Sequence, residues 1–271
     1  MRDFLYCLNT STIRPTPLLE KVHIAGQLGY DAIEPWNDEI TDYLRAGGTL
    51  KDLRRIIEDE GLKVVSVIAL FGWTEEEPAK YAAALDECRR RMDQAVRLGS
   101  PYIVASPPSG VVDLGFAARR YADLLRLGRE IGVRPSMEFL GFVEGVHTLD
   151  SARIIADGSG DRDATVVADV FHMMRGGGSI DDLLTIPGDR MAIFHINDLP
   201  DSPPPREQTD ADRVMLGEGI ADLPRVIENL RSIDYRGPIS LELFNEGLWI
   251  LDPSVVCRVG LEQMRKLVEG E

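Results

Sequence analysis

Four residues that can bind a metal ion each end a short apolar run in the second half of the chain. They are Glu138 in SMEFL, Asp169 in VVADVFH, His195 in AIFHIND and Glu242 in ISLELF. A buried strand is ordinarily a continuous run of Val, Ile, Leu and Phe, because an ionisable side chain loses its hydration there. Four exceptions in succession indicate a shared function.

These four side chains would meet if the runs were neighbouring parallel strands of a barrel, because such strands end at one mouth. Three carboxylates in a dry pocket repel one another strongly unless a cation neutralises them. Carboxylate oxygens with one imidazole suit a divalent metal ion, for which we favour Mn²⁺ and keep Mg²⁺, Zn²⁺ and Co²⁺ as alternatives. For each residue taken singly, the alternative is a salt bridge or a helix cap.

Such an ion would favour proton transfer next to a carbonyl group. An ion with open positions could chelate two adjacent sugar oxygens and stabilise the enediolate that forms when a neighbouring C–H is deprotonated. This chemistry needs a base on one face of the carbon and an acid within reach. Glu138 and Glu242 are the candidates for these catalytic roles, because they stand on the fifth and eighth predicted strands.

The elements that would position these residues alternate between strands and helices. Helical patterns, with apolar residues three and four positions apart, repeatedly stop at a glycine, and an apolar run follows. Glycine just past a helix end is the expected left-handed cap, and one strand-helix unit takes about thirty residues. The glycines concerned are Gly29, Gly61, Gly99, Gly132, Gly160, Gly188 and Gly237.

This alternation predicts eight strands and therefore an α/β fold, a (β/α)8 TIM barrel that forms a single domain over residues 1–271. A doubly wound sheet would usually carry a phosphate-binding fingerprint at its first turn, where this chain has NTSTIRPTP without a glycine. The predicted strands are 4–9, 31–36, 63–69, 102–106, 134–139, 165–170, 191–196 and 238–243. Helix N-caps are predicted at Thr49, Thr148, Ser179 and Asp222.

Composition limits the partners and the compartment. The formal charge of -15 would repel a phosphate backbone, so nucleic acid is not an expected partner. No apolar run approaches the roughly 18 residues of a membrane span, and the N-terminus lacks the pattern of a signal peptide. Cys7, Cys88 and Cys257 form no CxxC pair and fit reduced thiols. We therefore expect a cytoplasmic protein.

One segment departs from the regular alternation. Residues 199–218, LPDSPPPREQTDADRVMLGE, are polar, rich in proline and long for a connection. A loop of this length after a barrel strand usually lines or covers the active site, although a surface insertion is the alternative. The loop could also cross to a second subunit, so a homo-oligomer stays open.

The motifs MEFLG, ADVFHM, FHIND, DRVMLGEG and LELFN resemble those of the xylose-isomerase-like sugar isomerases and epimerases. The closest resemblance is to the inosose (2-keto-myo-inositol) isomerase branch of myo-inositol catabolism, and NTST, AIE and ALFGW extend it to the first three strands. The resemblance implies a metal-dependent isomerase or epimerase of a keto-sugar or keto-cyclitol. It also implies that Glu138, Asp169, His195 and Glu242 together bind one divalent ion.

The resemblance further implies contacts with the substrate. His172 follows Asp169 in a D-x-x-H pattern, Arg213 resembles an arginine that anchors substrate oxygens in ketose epimerases, and Glu144 has the spacing of a glutamate that contacts substrate there. The alternatives are a hydrogen-bonded loop histidine, a solvent-exposed arginine and a solvated carboxylate. Trp73, just beyond the third strand, is predicted to form an aromatic wall, although core packing is the commoner role.

The exact substrate and reaction stay open. Four positions after Glu138, where the inosose isomerase branch often has histidine, this chain has Phe142. A lyase or hydratase acting on 3-keto-glycosides would use the same enediolate and differ only in its product. An abasic-site endonuclease is less favoured, because the chain has only 4 histidines and an acid surplus, and a barrel that merely binds a sugar is the non-enzymatic alternative.

Overall fold

The computed structural model describes residues 3–270, which form eight parallel strands with helices between them. The strands are short and, apart from the exposed Lys63, almost wholly buried, as expected for a parallel sheet that is covered on its outer face. The strands are β1 (Leu5–Asn9), β2 (Ala32–Glu34), β3 (Lys63–Val64), β4 (Tyr102–Ala105), β5 (Arg134–Met137), β6 (Thr165–Asp169), β7 (Met191–Ile196) and β8 (Pro238–Leu241).

Ten α-helices are present among the described residues, and no helix there combines the length and apolar character that crossing a membrane requires. The helices are α1 (Leu18–Leu28), α2 (Asn37–Arg45), α3 (Leu50–Asp59), α4 (Pro78–Arg97), α5 (Leu114–Ile131), α6 (Leu149–Gly158), α7 (Val170–Arg175), α8 (Leu223–Ser232), α9 (Glu246–Trp249) and α10 (Pro253–Glu269).

The strands follow one another around the sheet in the order β3, β2, β1, β8, β7, β6, β5, β4. Between β3 and β4 the chain just after β3 completes the circle, because the Leu70 N–H donates to the Val104 carbonyl at 2.8 Å. The Val104 N–H in turn donates to the Val67 carbonyl at 2.9 Å, and Leu70 bridges Ala105. The predicted (β/α)8 TIM barrel is confirmed.

The barrel has a small inner core that is separate from the larger core between strands and helices. Side chains on a strand alternate between the two faces of the sheet, so residues two positions apart point the same way. Val167 and Ile193 of the inner core stand two positions before Asp169 and His195, and Cys7 stands two before Asn9. Asn9, Asp169 and His195 therefore point into the barrel, on the same side as the inner core.

All eight predicted strands are present, and the predicted N-caps Thr49, Thr148, Ser179 and Asp222 each accept a backbone N–H. The third strand is much shorter than the predicted 63–69, because beyond Val64 its neighbours are met only at isolated positions.

The prediction of a left-handed glycine cap after every helix is wrong at two positions. Gly29 and Gly132 do adopt it, with φ of 85° and 103°. Gly188 and Gly237 do not have positive φ and are required by close packing instead. A Cβ at Gly188 would lie 2.5 Å from the Ile233 carbonyl oxygen, and one at Gly237 would lie 2.5 Å from the Tyr235 hydroxyl.

Candidate metal centre

The four predicted ligands converge at the mouth formed by the carboxyl ends of the strands. Glu138 and Glu242 directly follow β5 and β8. Asp169 ends β6, and His195 stands opposite it on the neighbouring strand β7. His195 Nδ1 lies 3.2 Å from Glu242 Oε2 and 3.8 Å from both Glu138 Oε1 and Asp169 Oδ2. The prediction that these side chains lie together is confirmed, and all four are buried.

The donor atoms at this point fit a divalent cation. His195 Nδ1 is fully buried, yet among the described residues no group forms a hydrogen bond with it. One ligand atom each from Asp169, His195 and Glu242 lie within 4.8 Å of one another, and Glu138 borders the same nitrogen. An unpaired imidazole nitrogen that faces carboxylate oxygens is the donor set of a divalent metal site.

The other ring nitrogen of His195 is held by a residue whose role the sequence analysis missed. Glu34, at the end of β2, is fully buried, and its Oε2 lies 3.0 Å from His195 Nε2. The same oxygen accepts hydrogen bonds from Asn9 Nδ2 at 3.0 Å and from Ser240 Oγ at 2.9 Å. The available signal was the run DAIE, which ends in a carboxylate like the four later runs.

Two further residues from the first half of the barrel hold the acidic side chains. Asn9 Nδ2 donates to Glu242 Oε1 at 3.0 Å, and Ser106 Oγ donates to Glu138 Oε2 at 2.9 Å. Hydrogen bonds to an ionised carboxylate stabilise its charged form and fix its orientation. These contacts join the ends of β1 and β4 to the acidic cluster.

Arg213 also enters the cluster. Its ion pairs with two of the acidic residues are what would be expected if those carboxylates had only a structural role. Its Nη1 donates to Asp169 Oδ2 at 2.7 Å and to Glu242 Oε2 at 2.9 Å. One guanidinium does not balance three carboxylates, however, and no arginine pairs with Glu138 among the described residues. His195 Nδ1 also stays without a hydrogen bond, so the cluster still fits a second cation.

The long loop places Arg213, as predicted for a segment that lines the site. Asp198, just after β7, forms an antiparallel bridge with Val214, the residue after Arg213. The buried Asp198 carboxylate accepts hydrogen bonds from the backbone N–H groups of Gly217 and Gly219 at 3.0 Å each. It also accepts the backbone N–H groups of Leu199 and Ala221. The guanidinium carbon of Arg213 lies 4.8 Å from the ring centroid of Phe171 and 5.3 Å from that of Phe244.

The predicted substrate contacts fall into two groups. His172 is buried, and the Arg213 guanidinium donates to its Nε2 at 3.1 Å. Burial lowers the pKa of His172 to about 4, so this imidazole is neutral at pH 7 and accepts the bond. The ring of Phe142, which is exposed, packs edge-on against it at 5.3 Å. Glu144 is exposed and stands two residues after Phe142, and its substrate role stays a prediction.

Trp73 has a different environment from the one predicted. It is 1% exposed, and its indole N–H donates to the Ser106 carbonyl at 2.7 Å. This burial favours the packing alternative, because a wall against a substrate needs an open ring face. Trp36 is more accessible, and its N–H donates to Asn9 Oδ1 at 3.2 Å.

The electrostatics of the cluster reflect an excess of negative charge. Burial raises the pKa of Glu138 to about 8, although His195 opposes the shift. Burial would also raise the pKa of Asp169, but the Arg213 guanidinium holds it below the usual value. Burial would lower the pKa of His195, yet the charge of Glu242 and its neighbours holds it well above the usual value. A site that attracts a proton so strongly also attracts a metal cation.

These observations define a class of protein: a (β/α)8 barrel with a candidate metal centre at the carboxyl ends of its strands. The chain belongs to the xylose isomerase-like TIM barrel family, because the sequence model of that family matches residues 22–267.

Curated relatives cover most of the chain. It is 28% identical to an inosose isomerase of Halalkalibacterium halodurans, over 88% of this chain and 87% of that protein. It is 26% identical to an inosose isomerase of Bacillus velezensis, over 97% and 96%. A 3-dehydroshikimate dehydratase of Pseudomonas aeruginosa is 24% identical over 85% of this chain, which spans 36% of that longer protein.

A solved structure supports the fold. The crystal structure of the IOLI protein with a binding zinc atom superposes with a TM-score of 0.91, at 24% identity and over 98% of both chains. At this level of identity the match establishes the shared barrel, and the predicted resemblance to inosose isomerases is confirmed by the curated relatives.

Proposed function

We propose that this protein is a divalent-metal-dependent isomerase or epimerase of a keto-sugar or keto-cyclitol, similar to the inosose isomerases. One observation carries the proposal: the buried His195 Nδ1, which has no hydrogen bond among the described residues, faces three carboxylates at the mouth of the barrel. The names of the curated relatives point to the same chemistry.

In this proposal Glu138, Asp169, His195 and Glu242 hold one divalent ion. When bound, the ion supplies a Lewis acid that polarises a substrate carbonyl. The oxygen-rich donor set favours Mn²⁺ or Mg²⁺, whereas the related IOLI structure is described with zinc, so the choice of ion is a matter for measurement. Anomalous scattering from crystals would locate the ion and identify its element together.

The chain's own contribution is proton transfer at the carbon next to the carbonyl. Glu138 and Glu242 reach the centre from β5 and β8, which are separated in the sheet by β6 and β7. Carboxylates that approach from different sides suit a reaction in which one face of a carbon loses a proton and a neighbouring atom gains one. We therefore assign the base and acid roles to these two residues.

Binding of the substrate hydroxyls is assigned to the polar residues beside the cluster. The planar guanidinium of Arg213 holds Asp169, Glu242 and Asp210 in this structure, and it also donates to its neutral partner His172. A charged, buried donor fork is suited to adjacent sugar oxygens. Glu144 stays a predicted contact, whereas the burial of Trp73 favours a packing role.

Exchange of the substrate α-proton with deuterated water tests this assignment. The metal-loaded protein, incubated with 2-keto-myo-inositol and a panel of ketoses, should incorporate deuterium at the carbon next to the carbonyl. Glu138→Gln and Glu242→Gln should abolish this incorporation. Glu246→Gln, an exposed glutamate close to the same mouth, is the matched control and should exchange at the parental rate. Parental exchange in both buried variants would exclude the two residues as acid and base.

A lyase or dehydratase is the second candidate, and the dehydratase relative is the observation that favours it. The same proton abstraction would then lead to loss of a β-substituent. Mass spectrometry of the product separates the two functions, because isomerisation leaves the mass unchanged and elimination reduces it.

A further inference from the structure

Glu34 is a buried carboxylate that the proposed reaction does not use. It is 0% exposed, and all of its hydrogen bonds converge on one oxygen, Oε2, from His195, Asn9 and Ser240. The other oxygen, Oε1, is buried without a hydrogen bond among the described residues. Burying a carboxylate is unfavourable unless both oxygens are satisfied, so stability alone does not account for a glutamate here.

The contact with His195 crosses the barrel mouth. Glu34 stands on β2 and His195 on β7, and β1 and β8 lie between them in the sheet. A carboxylate only accepts hydrogen bonds, so the bond at 3.0 Å requires that His195 carry a hydrogen on Nε2. A metal ion displaces the proton from the nitrogen that it binds, so with the hydrogen on Nε2 held by Glu34 it is Nδ1, which faces the three acidic residues, that is left to bind the ion.

We propose that Glu34 is a positioning residue that fixes His195 in the Nε2–H tautomer and so presents Nδ1 as a metal ligand. The inference rests on the proposed metal site. Without Glu34, the competing tautomer would be favoured, because an Nδ1–H could donate to Glu242 Oε2, which lies 3.2 Å away. Glu34 thus determines whether this nitrogen binds a cation or donates a hydrogen bond.

Asn9 connects the Glu34 carboxylate to the acidic cluster by hydrogen bonds. Its amide nitrogen donates to both Glu34 Oε2 and Glu242 Oε1 at 3.0 Å. Its amide oxygen accepts the Trp36 indole N–H at 3.2 Å, which fixes which way the amide faces. The tautomer of His195 and the orientation of Glu242 are therefore set by one connected network.

The first test is the affinity of the full chain for Zn²⁺ alone, measured by competition with a chelating dye. Loss of the partner of a ligating histidine typically weakens metal binding by about 10- to 100-fold. Glu34→Met, which removes the acceptor, should raise the Kd about 100-fold. Glu34→Gln, which keeps an acceptor oxygen but no charge, should raise it by about tenfold or less. Glu39→Gln, a glutamate of α2 that pairs with Lys21 instead, is the control and should stay within about twofold.

The second test reads the tautomer directly and needs neither activity nor metal. Nitrogen-15 NMR of labelled histidine, with His195 assigned by the loss of its signal in His195→Gln, is recorded on zinc-free protein at a pH above the raised pKa of His195, where the imidazole is neutral. The parent should show the Nε2–H form and Glu34→Met a shift towards Nδ1–H. If Glu34→Met fails to fold, the Kd of Glu34→Gln for Zn²⁺ and the tautomer of His195 in the parent still test the role of Glu34.

The outcomes separate this inference from the proposed function. An Nδ1–H tautomer in the parent, or a Zn²⁺ affinity in Glu34→Met within about twofold of the parent, overturns the role of Glu34 and leaves the metal site intact. A parental protein that binds no Zn²⁺ or other divalent ion overturns the metal site, and the role of Glu34 is overturned with it.

Discussion

The two halves of the barrel end their strands differently. In the second half, β5 to β8 lead into ionisable residues that face one another across a few ångströms. In the first half, β1, β2 and β4 lead into residues that face those groups and hold them by hydrogen bonds. The pairs are Asn9 with Glu242, Glu34 with His195, and Ser106 with Glu138.

This difference shows how one closed sheet can both concentrate charge and orient it. Side chains that would bind the ion need partners that satisfy their remaining hydrogen-bonding atoms, and these partners must lie on rigid elements. A barrel supplies them from the opposite strands, since every strand end borders the same mouth. Changes in the second half should therefore remove function, whereas changes in the first half should only reduce it.

The largest expected effect follows removal of the metal ion. Dialysis of the protein against a chelator should abolish activity, and addition of one equivalent of Mn²⁺ or Zn²⁺ should restore it. The ion should also stabilise the fold by about 2.7 kcal/mol when its free concentration is 100 times the Kd, which a thermal melt would detect. Full activity after exhaustive chelation would contradict the proposal that residues of the second half hold a metal ion on which catalysis depends.

The next effect concerns Arg213, which belongs to the second half but is not a proposed ligand. Arg213→Met should raise KM by about 100-fold, or about 2.7 kcal/mol, because the substrate would lose a charged donor fork. The Kd for Zn²⁺ should not rise, because a positive charge that competes for Asp169 and Glu242 has been removed. Steady-state kinetics and metal titration together test this. A loss of Zn²⁺ binding would instead show that Arg213 maintains the geometry of the metal site.

A smaller effect is expected from the residue that anchors the long loop. Asp198→Asn replaces one of the two acceptor oxygens with an NH₂ group that faces backbone N–H donors. Unfolding free energy should fall by about 1–3 kcal/mol, as for other buried groups left unpaired, and KM should rise because Arg213 is less well held. Urea denaturation with parallel kinetics measures both. Unchanged stability would show that the loop is held by other contacts.

The smallest effect is expected from Ser106, a first-half residue. Ser106→Ala removes one hydrogen bond to Glu138, worth about 1.5–3 kcal/mol in the metal-loaded protein, where the acceptor is charged. We expect kcat to fall by roughly tenfold, or about 1.4 kcal/mol, with little change in KM. Ser100→Ala, near the opposite end of β4, is the matched control, since within residues 3–270 the Ser100 hydroxyl donates only to the Tyr102 carbonyl. Equal kcat values in the two variants would remove Ser106 from the supporting set.

The barrel was predictable because its signals are local. Apolar runs, helical periodicity and caps such as Thr49 and Asp222 depend on residues that are close in sequence. The short third strand was not predictable, because the sequence 63–69 is suitable for a strand and only the closure of the barrel limits its pairing. Gly188 likewise carries no sign in the sequence that a distant backbone passes against it.

The candidate site was predictable in part, for the same reason. Ionisable residues at the ends of apolar runs marked Glu138, Asp169, His195 and Glu242 without any knowledge of their partners. The burial of Trp73 and the exposed position of Glu144 follow from loop conformations that no local pattern specifies.

The sequence by itself determined which residues stand at the strand ends, because strand periodicity and the cost of burying a charge are properties of short segments. Only the tertiary structure decided which of these residues touch. Glu34 and His195 are 161 positions apart, and Arg213 reaches Asp169 from a separate loop. Such contacts depend on the curvature and closure of the whole sheet, which bring the ends of distant strands to one point.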